Sequence, residues 1–246
     1  MKLFLVAAAA ASTALATPAF AAELITNGGF ETGSFAGWSS NVQSGSFGNR
    51  FVSAPGTNAP ASGFATAANP LGGNFYAVTD QNGGGAYSLT QLFTIASGTT
   101  SAILTFQMFA QNQSGTTIVN PAGLDAFSGP NQHARVDILI AGATAFTNAP
   151  GDIVANLFLG DDGSGVRPYL SYSFNLLSLG LTAGNSYQIR FGQVDNQLFF
   201  QQGVDNVSIN ASGGVPEPAS WALMIAGFAL VGGALRRRSF KLSYAV

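Results

Sequence analysis

Along much of the chain, apolar and polar residues alternate one for one. Val136, Ile138 and Ile140 point one way, and Arg135 and Asp137 the other. Leu104, Phe106 and Met108 alternate with Thr105 and Gln107. Leu170, Tyr172, Phe174 and Leu176 alternate with Ser171, Ser173 and Asn175, and Tyr187, Ile189 and Phe191 with Gln188 and Arg190. A period of two marks a strand with one buried face; a helix would scatter the same residues around its circumference. Further strands are expected at 24–27, 47–53, 74–79, 86–95, 153–159 and 203–210, separated by clusters of Gly, Asn, Pro and Ser. Segment 111–133 is polar, contains Gly and Pro, and reads as one long loop. About ten short strands, with no amphipathic helix before residue 219, imply an all-β fold: a β-sandwich of the jelly-roll kind.

Composition removes several chemistries. The 246 residues include no Cys and one His. Disulfides, thiolate-bound zinc, iron–sulfur clusters and thiol catalysis are excluded, as are His-pair metal sites. His133 falls in the polar loop and reads as a solvated side chain rather than a catalytic base. Residues 23–214 carry four Arg and no Lys against ten carboxylates, a net charge of −6. An acidic surface without Lys does not suit nucleic acid.

Both ends read as addresses rather than fold. Residues 1–22 combine Lys2, a short apolar stretch and Ala19-Phe20-Ala21, the pattern of a cleaved secretory signal peptide. Residues 219–235 are almost unbrokenly apolar and are followed by Arg236, Arg237 and Arg238. A helix here would be about 25 Å long, enough for a thinned bilayer. The arginines would keep the tail 239–246 in the cytoplasm and leave the preceding domain outside the inner membrane. Trp221 would sit near the outer interface.

Pro216, Glu217 and Pro218 stand immediately before this run, and two prolines bar a helix from passing through them. The stretch VPEPASWALMIAGFALVGGALRRR, residues 215–238, resembles the PEP-CTERM sorting signal of Gram-negative bacteria. Trp221, Ala222, Met224, Ile225, Gly227 and Phe228 match its pattern, and Leu223 replaces a Met. The resemblance implies an inner-membrane intermediate and recognition by an exosortase, a membrane protease acting near Pro-Glu-Pro. It also implies release or transfer to the cell surface, usually in bacteria that make exopolysaccharide.

A second resemblance lies at the two ends of the domain 23–214. Leu24-Ile25-Thr26-Asn27-Gly28-Gly29-Phe30-Glu31 with Gly37-Trp38, and Gly203-Val204-Asp205-Asn206-Val207-Ser208-Ile209, resemble the galactose-binding-like jelly roll of many carbohydrate-binding modules. Asn27-Gly28-Gly29 can host positive φ. Phe30 and Trp38 are large enough to plug one end of a sandwich. Strand parity puts Asp205 on the same face as Val207 and Ile209, where a carboxylate needs a partner or a cation. The related modules often hold a structural calcium near these segments, which implies Glu31 and Asp205 as ligands in an oxygen-only site. The alternative is that Asp205 caps a turn or accepts from backbone amides of the first strand.

No motif for catalysis stands out. Asp161-Asp162-Gly163-Ser164-Gly165 looks like a turn, and His133 has no nucleophile elbow to serve. Trp38, Tyr76, Tyr87, Tyr169, Tyr172 and Tyr187 could contact sugar or simply fill the core. Leu198-Phe199-Phe200-Gln201-Gln202 and the stretch Phe47–Phe51 could place aromatics outside it. The expected function is therefore a non-catalytic exported surface protein, associated with exopolysaccharide or biofilm matrix and able to bind carbohydrate. A structural or adhesive surface protein without a sugar ligand is the alternative. A polysaccharide hydrolase is a third, and it requires Asp125, Asp152, Asp161, Asp162 and Asp195 to converge in one cleft.

Overall fold

The computed structural model describes residues 21–54, 58–63, 72–213, 224–229 and 232. Residues 1–20 of the expected signal peptide, the motif residues Pro216, Glu217, Pro218, Trp221 and Arg236 to Arg238, and the tail 239–246 lie outside them. Of the expected helix 219–235, residues 224–229 and 232 are helical and exposed. Among the described residues no helix is long and apolar enough to cross a membrane.

Among the described residues eleven strands follow in chain order: β1 (Ala22–Glu23), β2 (Ser39–Val42), β3 (Asn49–Ser53), β4 (Tyr76–Asp80), β5 (Gly85–Thr94), β6 (Ser101–Asn112), β7 (Gln132–Ile140), β8 (Ile153–Gly160), β9 (Leu170–Asn175), β10 (Ser186–Asp195) and β11 (Phe200–Ser212). They form two antiparallel sheets. One has the order β3-β4-β11-β6-β9, with β1 added on β11; the other has the order β2-β5-β10-β7-β8. The inner faces interleave as a sandwich core. Leu104, Phe106, Met108, Val204 and Ile209 of the first sheet meet Leu89, Val136, Ile138, Ile189 and Phe191 of the second. Leu104, Phe106, Met108, Val136, Ile138, Ile189 and Phe191 are among the residues the alternation predicts to face inward.

Phe30 and Trp38 close the core where the chain enters it. Phe30 is fully buried, and the two rings are 5.6 Å apart. The Trp38 indole N–H donates to the Asn27 carbonyl at 3.1 Å. Positive φ falls on Asn27 and Phe30, not on the intervening glycines. Gly28 is required for another reason: a Cβ there would lie 1.8 Å from the Val207 carbonyl oxygen.

Four expectations are corrected. Residues 24–27 form no strand, because β1 stops at Glu23 and the chain turns at Asn27 (φ 52°). The polar segment 111–133 is not wholly loop: β6 runs on to Asn112, and β7 begins at Gln132. His133 is consequently a buried strand residue; burial lowers its pKa to about 4, and Nδ1 lies 3.3 Å from the Ile118 carbonyl oxygen. Asp205 does not share a face with Val207 and Ile209. The register against β6 shifts between Asp205 and Ser208, and Asn206 at the shift has φ 50°. This β-bulge breaks the period of two. Val204, Val207 and Ile209 stay in the core, and Asp205 turns to the opposite face of the sheet.

Candidate functional site

The strand ends Asp80, Gly85, Asn112, Gln132, Asp195 and Phe200 gather at one end of the sandwich. Loops 43–48, 81–84, 113–131 and 196–199 therefore meet there. Short polar side chains tie them together. Gln43 donates to Asp125 Oδ1 at 2.8 Å and accepts the Ala126 amide at 2.9 Å. Asn196 donates to the carbonyls of Ala126 and Gly129 at 2.7 and 2.6 Å, and its own oxygen accepts the Asn131 amide. Asn131 donates to the Gly123 carbonyl at 2.6 Å. Such loops would otherwise be the mobile part of a sandwich; here they are cross-braced.

Between loops 81–84 and 196–199 lies a cleft of about 330 Å³. Asn82, Asn196, Gln197 and Phe199 line its sides, and Gln81 and Asp195 its floor. Gln81 and Asp195 are 1% and 3% exposed. The Gln81 Nε2 group donates to the Asp195 carboxylate and the Phe200 carbonyl, which leaves Gln81 Oε1 buried without a partner. Burial raises the Asp195 pKa to about 7, against the opposing hydrogen bonds from Gln81 and the Gln197 and Phe200 amides. Beside the cleft, the Phe47 ring lies over Gly83, where a Cβ would come within 2.9 Å of it. Phe47 is 62% exposed, Leu198 60% and Phe127 56%. The site thus offers apolar faces around neutral amides, with one protonatable carboxylate beneath. A shallower groove of about 290 Å³ on the first sheet's outer side is lined by Thr105, Gln107, Ser171, Ser173 and Asn206, all uncharged.

The two residues implied as calcium ligands do come together. Around Gly29, a Cβ would lie 3.7 Å from Glu31 Cγ, 3.5 Å from Asn206 Oδ1 and 3.9 Å from Asp205 Oδ1. Glu31 accepts the Asn74 amide at 2.9 Å and the Phe75 amide at 3.1 Å. Asp205 accepts the Asn206 amide at 2.7 Å, not an amide of the first strand. Asp205 is fully buried; burial, then the charge of Glu31, raises its pKa to about 7. Among the described residues neither carboxylate has an Arg or Lys partner, since the ion pairs are those of Asp137 with Arg135 and Arg190. Two carboxylates and an amide oxygen without a compensating cation fit a hard, oxygen-ligated ion in donor type. The described residues hold no group of three or more acidic or His side chains placed to bind a metal.

The other sequence candidates scatter. Trp38, Tyr76, Tyr87, Tyr169 and Tyr187 are buried, and Tyr172 stacks on Phe106 at 4.9 Å. Phe200 is buried, whereas Phe47 and Leu198 from the same two stretches are exposed. Of the five aspartates a hydrolase would need to converge, only Asp195 lines the cleft. Asp125 is bound to Gln43 and Ser128, Asp152 to Thr147, Asp161 to Asn112 and Thr117, and Asp162 to the Ala110 amide.

The C-terminal resemblance is matched independently: residues 214–238 fit the family model of the PEP-CTERM protein-sorting motif. The chain carries a PEP-CTERM sorting signal. That signal implies export, a membrane-anchored stage and processing by an exosortase. The PEP-CTERM segment begins two positions beyond Ser212, the last residue of β11. No curated protein sequence matches the chain. Among solved structures, similar folds include TmCBM61 in complex with β-1,4-galactotriose, at 12% identity and TM-score 0.48, covering 76% of this chain and 97% of that one. A Stig cyclase from Fischerella sp. TAU matches at 16% identity and TM-score 0.48, covering 80% and 100%. The K3 cleaved adhesin domain of Lys-gingipain from Porphyromonas gingivalis matches at 16% identity and TM-score 0.46, covering 78% and 99%. Likenesses this distant assign no ligand and no residue role.

Proposed function

We propose that the PEP-CTERM chain is a non-catalytic surface protein that binds carbohydrate of the extracellular matrix in the cleft between loops 81–84 and 196–199. The observation that carries this reading is the cleft itself. It holds an orphaned acceptor, Gln81 Oε1, and the side chains of Asn82, Asn196 and Gln197, with the exposed Phe47 beside it over Gly83. A sugar ring presents both surfaces such a site needs: a C–H face for an aromatic ring, and hydroxyls that donate and accept. Concave sites with a few convergent polar groups are the usual form of small-ligand sites. The scatter of the aspartates favours binding over hydrolysis. A cation held by Glu31 and Asp205 would fasten the entry loop to β11 and take no part in binding.

Titration of the purified chain against the host's exopolysaccharide tests the reading. Saturable binding is expected, weakened about tenfold or more by Phe47→Ala or Gln197→Ala, which corresponds to at least about 1.4 kcal/mol. Saturable binding that neither substitution changes would place the ligand elsewhere. No binding to any polysaccharide would leave the structural or adhesive surface protein.

A further inference from the structure

β11 determines where the chain leaves the sandwich. It starts at Phe200 beside the cleft and ends at Ser212. At about 3.3 Å per residue, its length is roughly 40 Å. The Ser212 carbonyl accepts the Thr100 amide at 2.9 Å, and a Cβ at Gly213 would lie 3.0 Å from the Thr100 nitrogen. The exit therefore lies beside loop 95–100, at the end opposite the cleft. Only Gly213, Gly214 and Val215 separate Ser212 from Pro216, and the apolar run begins at Ala219. Even a fully extended chain reaches at most about 25 Å from Ser212 to Ala219. With the apolar run in a bilayer, an inverted domain would have to lift its exit roughly 40 Å from the surface. The tether is too short for that.

Charge points the same way. Loops 95–100 and 176–185, which flank the exit, contain no Asp, Glu, Lys or Arg. Ile140 and Leu179 there are 40% and 36% exposed. The nearest carboxylates are engaged: Glu23 by the Ile25 and Ile209 amides at 2.8 and 2.9 Å, and Asp152 by the Thr147 hydroxyl at 2.6 Å. Asp125, Asp161 and Asp162 sit instead on loops of the cleft end. Anionic headgroups repel carboxylates within about a Debye length, roughly 10 Å, so the end with fewer carboxylates is the one a bilayer tolerates at close range.

We propose that, in the membrane-tethered form, loops 95–100 and 176–185 rest against the lipid surface and hold the cleft outward, away from the cell. The proposal depends on the tail serving as a membrane tether but not on what the cleft binds. The absence of Cys makes single-cysteine probes clean. Ser178→Cys at the exit end and Asn82→Cys at the cleft end would be labelled with a fluorophore in the full-length chain. The labelled chains would be reconstituted into phosphatidylethanolamine–phosphatidylglycerol vesicles carrying a headgroup-attached quencher. Ser97→Cys and Gln197→Cys give a second pair should either first variant misfold. The exit-end label is expected to be quenched several-fold more than the cleft-end label. A twenty-residue Gly/Ser insertion after Gly213 is expected to abolish the difference. Chain that floats with the vesicles but shows equal quenching at both ends, or the reverse order, overturns the orientation alone. Chain that does not float with them overturns the tether, and the orientation with it.

Discussion

Asp195 and Asp205 are both held near pKa 7, in each case mainly by burial. An unfolded Asp titrates near 3.9. Between these values the folded state binds more protons than the unfolded state, so each group's contribution is fully present below about pH 4 and is lost as pH rises toward about 7. His133 acts in the opposite sense: its folded pKa of about 4 lies below the ordinary value near 6.5. Its contribution is lost as pH falls through that window. Two acids against one base leave stability declining from about pH 4 to 7. Asp195→Asn should flatten the decline. Urea midpoints across this range would check it, and an unchanged slope would mean that Asp195 is not held protonated. A different residue-scale constraint sits at Gly203, where a Cβ would lie 1.9 Å from a Phe109 ring carbon. Gly203→Ala should destabilise by about 1–3 kcal/mol, as overpacked cores do, seen as a lower urea midpoint at unchanged slope.

Among the elements, loop 141–152 depends on one ionic clamp. Asp137 on β7 accepts from Arg135 at 2.7 and 2.8 Å and from Arg190 of β10 at 3.0 and 2.7 Å. Arg190 Nη1 reaches the Ala145 and Thr147 carbonyls, and Arg135 Nη1 the Asn148 side chain. Burial pushes the Asp137 pKa up, but the two arginines outweigh it and hold it below the usual range. Asp137→Asn leaves two buried guanidiniums without an anion and should cost about 3–5 kcal/mol. Amide exchange in 141–152 should then accelerate more than in β5. Uniform acceleration would show that the clamp does not act locally. The entry loop and β11 form the second joint. If Glu31 and Asp205 hold calcium, the melting midpoint should rise with calcium and fall with chelator in the wild type but not in Asp205→Asn. No shift in the wild type would remove the ion. Strands with one apolar and one polar face, such as β9 and β10, were legible as alternation. β2, SSNV, was not, because an exposed polar edge strand buries nothing that would imprint a period. The face of Asp205 was misread because an alternation rule cannot count the extra residue of a bulge.

At the scale of the molecule, the cleft joins loops more than 100 residues apart, and only the strand order places Gln81 beside Asp195. No local pattern could announce that adjacency. Phe47 in the stretch Phe47–Phe51 and the apolar–amide run at Leu198 were the sequence signals that bore on it. The overall charge was legible, and it constrains the ligand. Residues 23–214 carry −6, and Asp125, Asp161 and Asp162 lie on loops at the cleft end. A polyanionic chain approaching that end meets like charge over a Debye length, whereas a neutral glycan does not. The cleft walls themselves are amides and apolar groups, whose contacts do not vary with salt. Neutral polysaccharides are therefore expected to bind more tightly than uronic-acid polymers at low salt, with affinity that added salt leaves unchanged. Uronic-acid binding should strengthen as salt screens the repulsion. Parallel titrations of one neutral and one uronic-acid polysaccharide at low and high salt decide the matter. Tighter low-salt binding of the acidic polymer, weakening with salt, would mean that a cation or an arginine rather than the amide cleft receives the ligand. Arg167 and the Glu31–Asp205 joint would then be the places to substitute next.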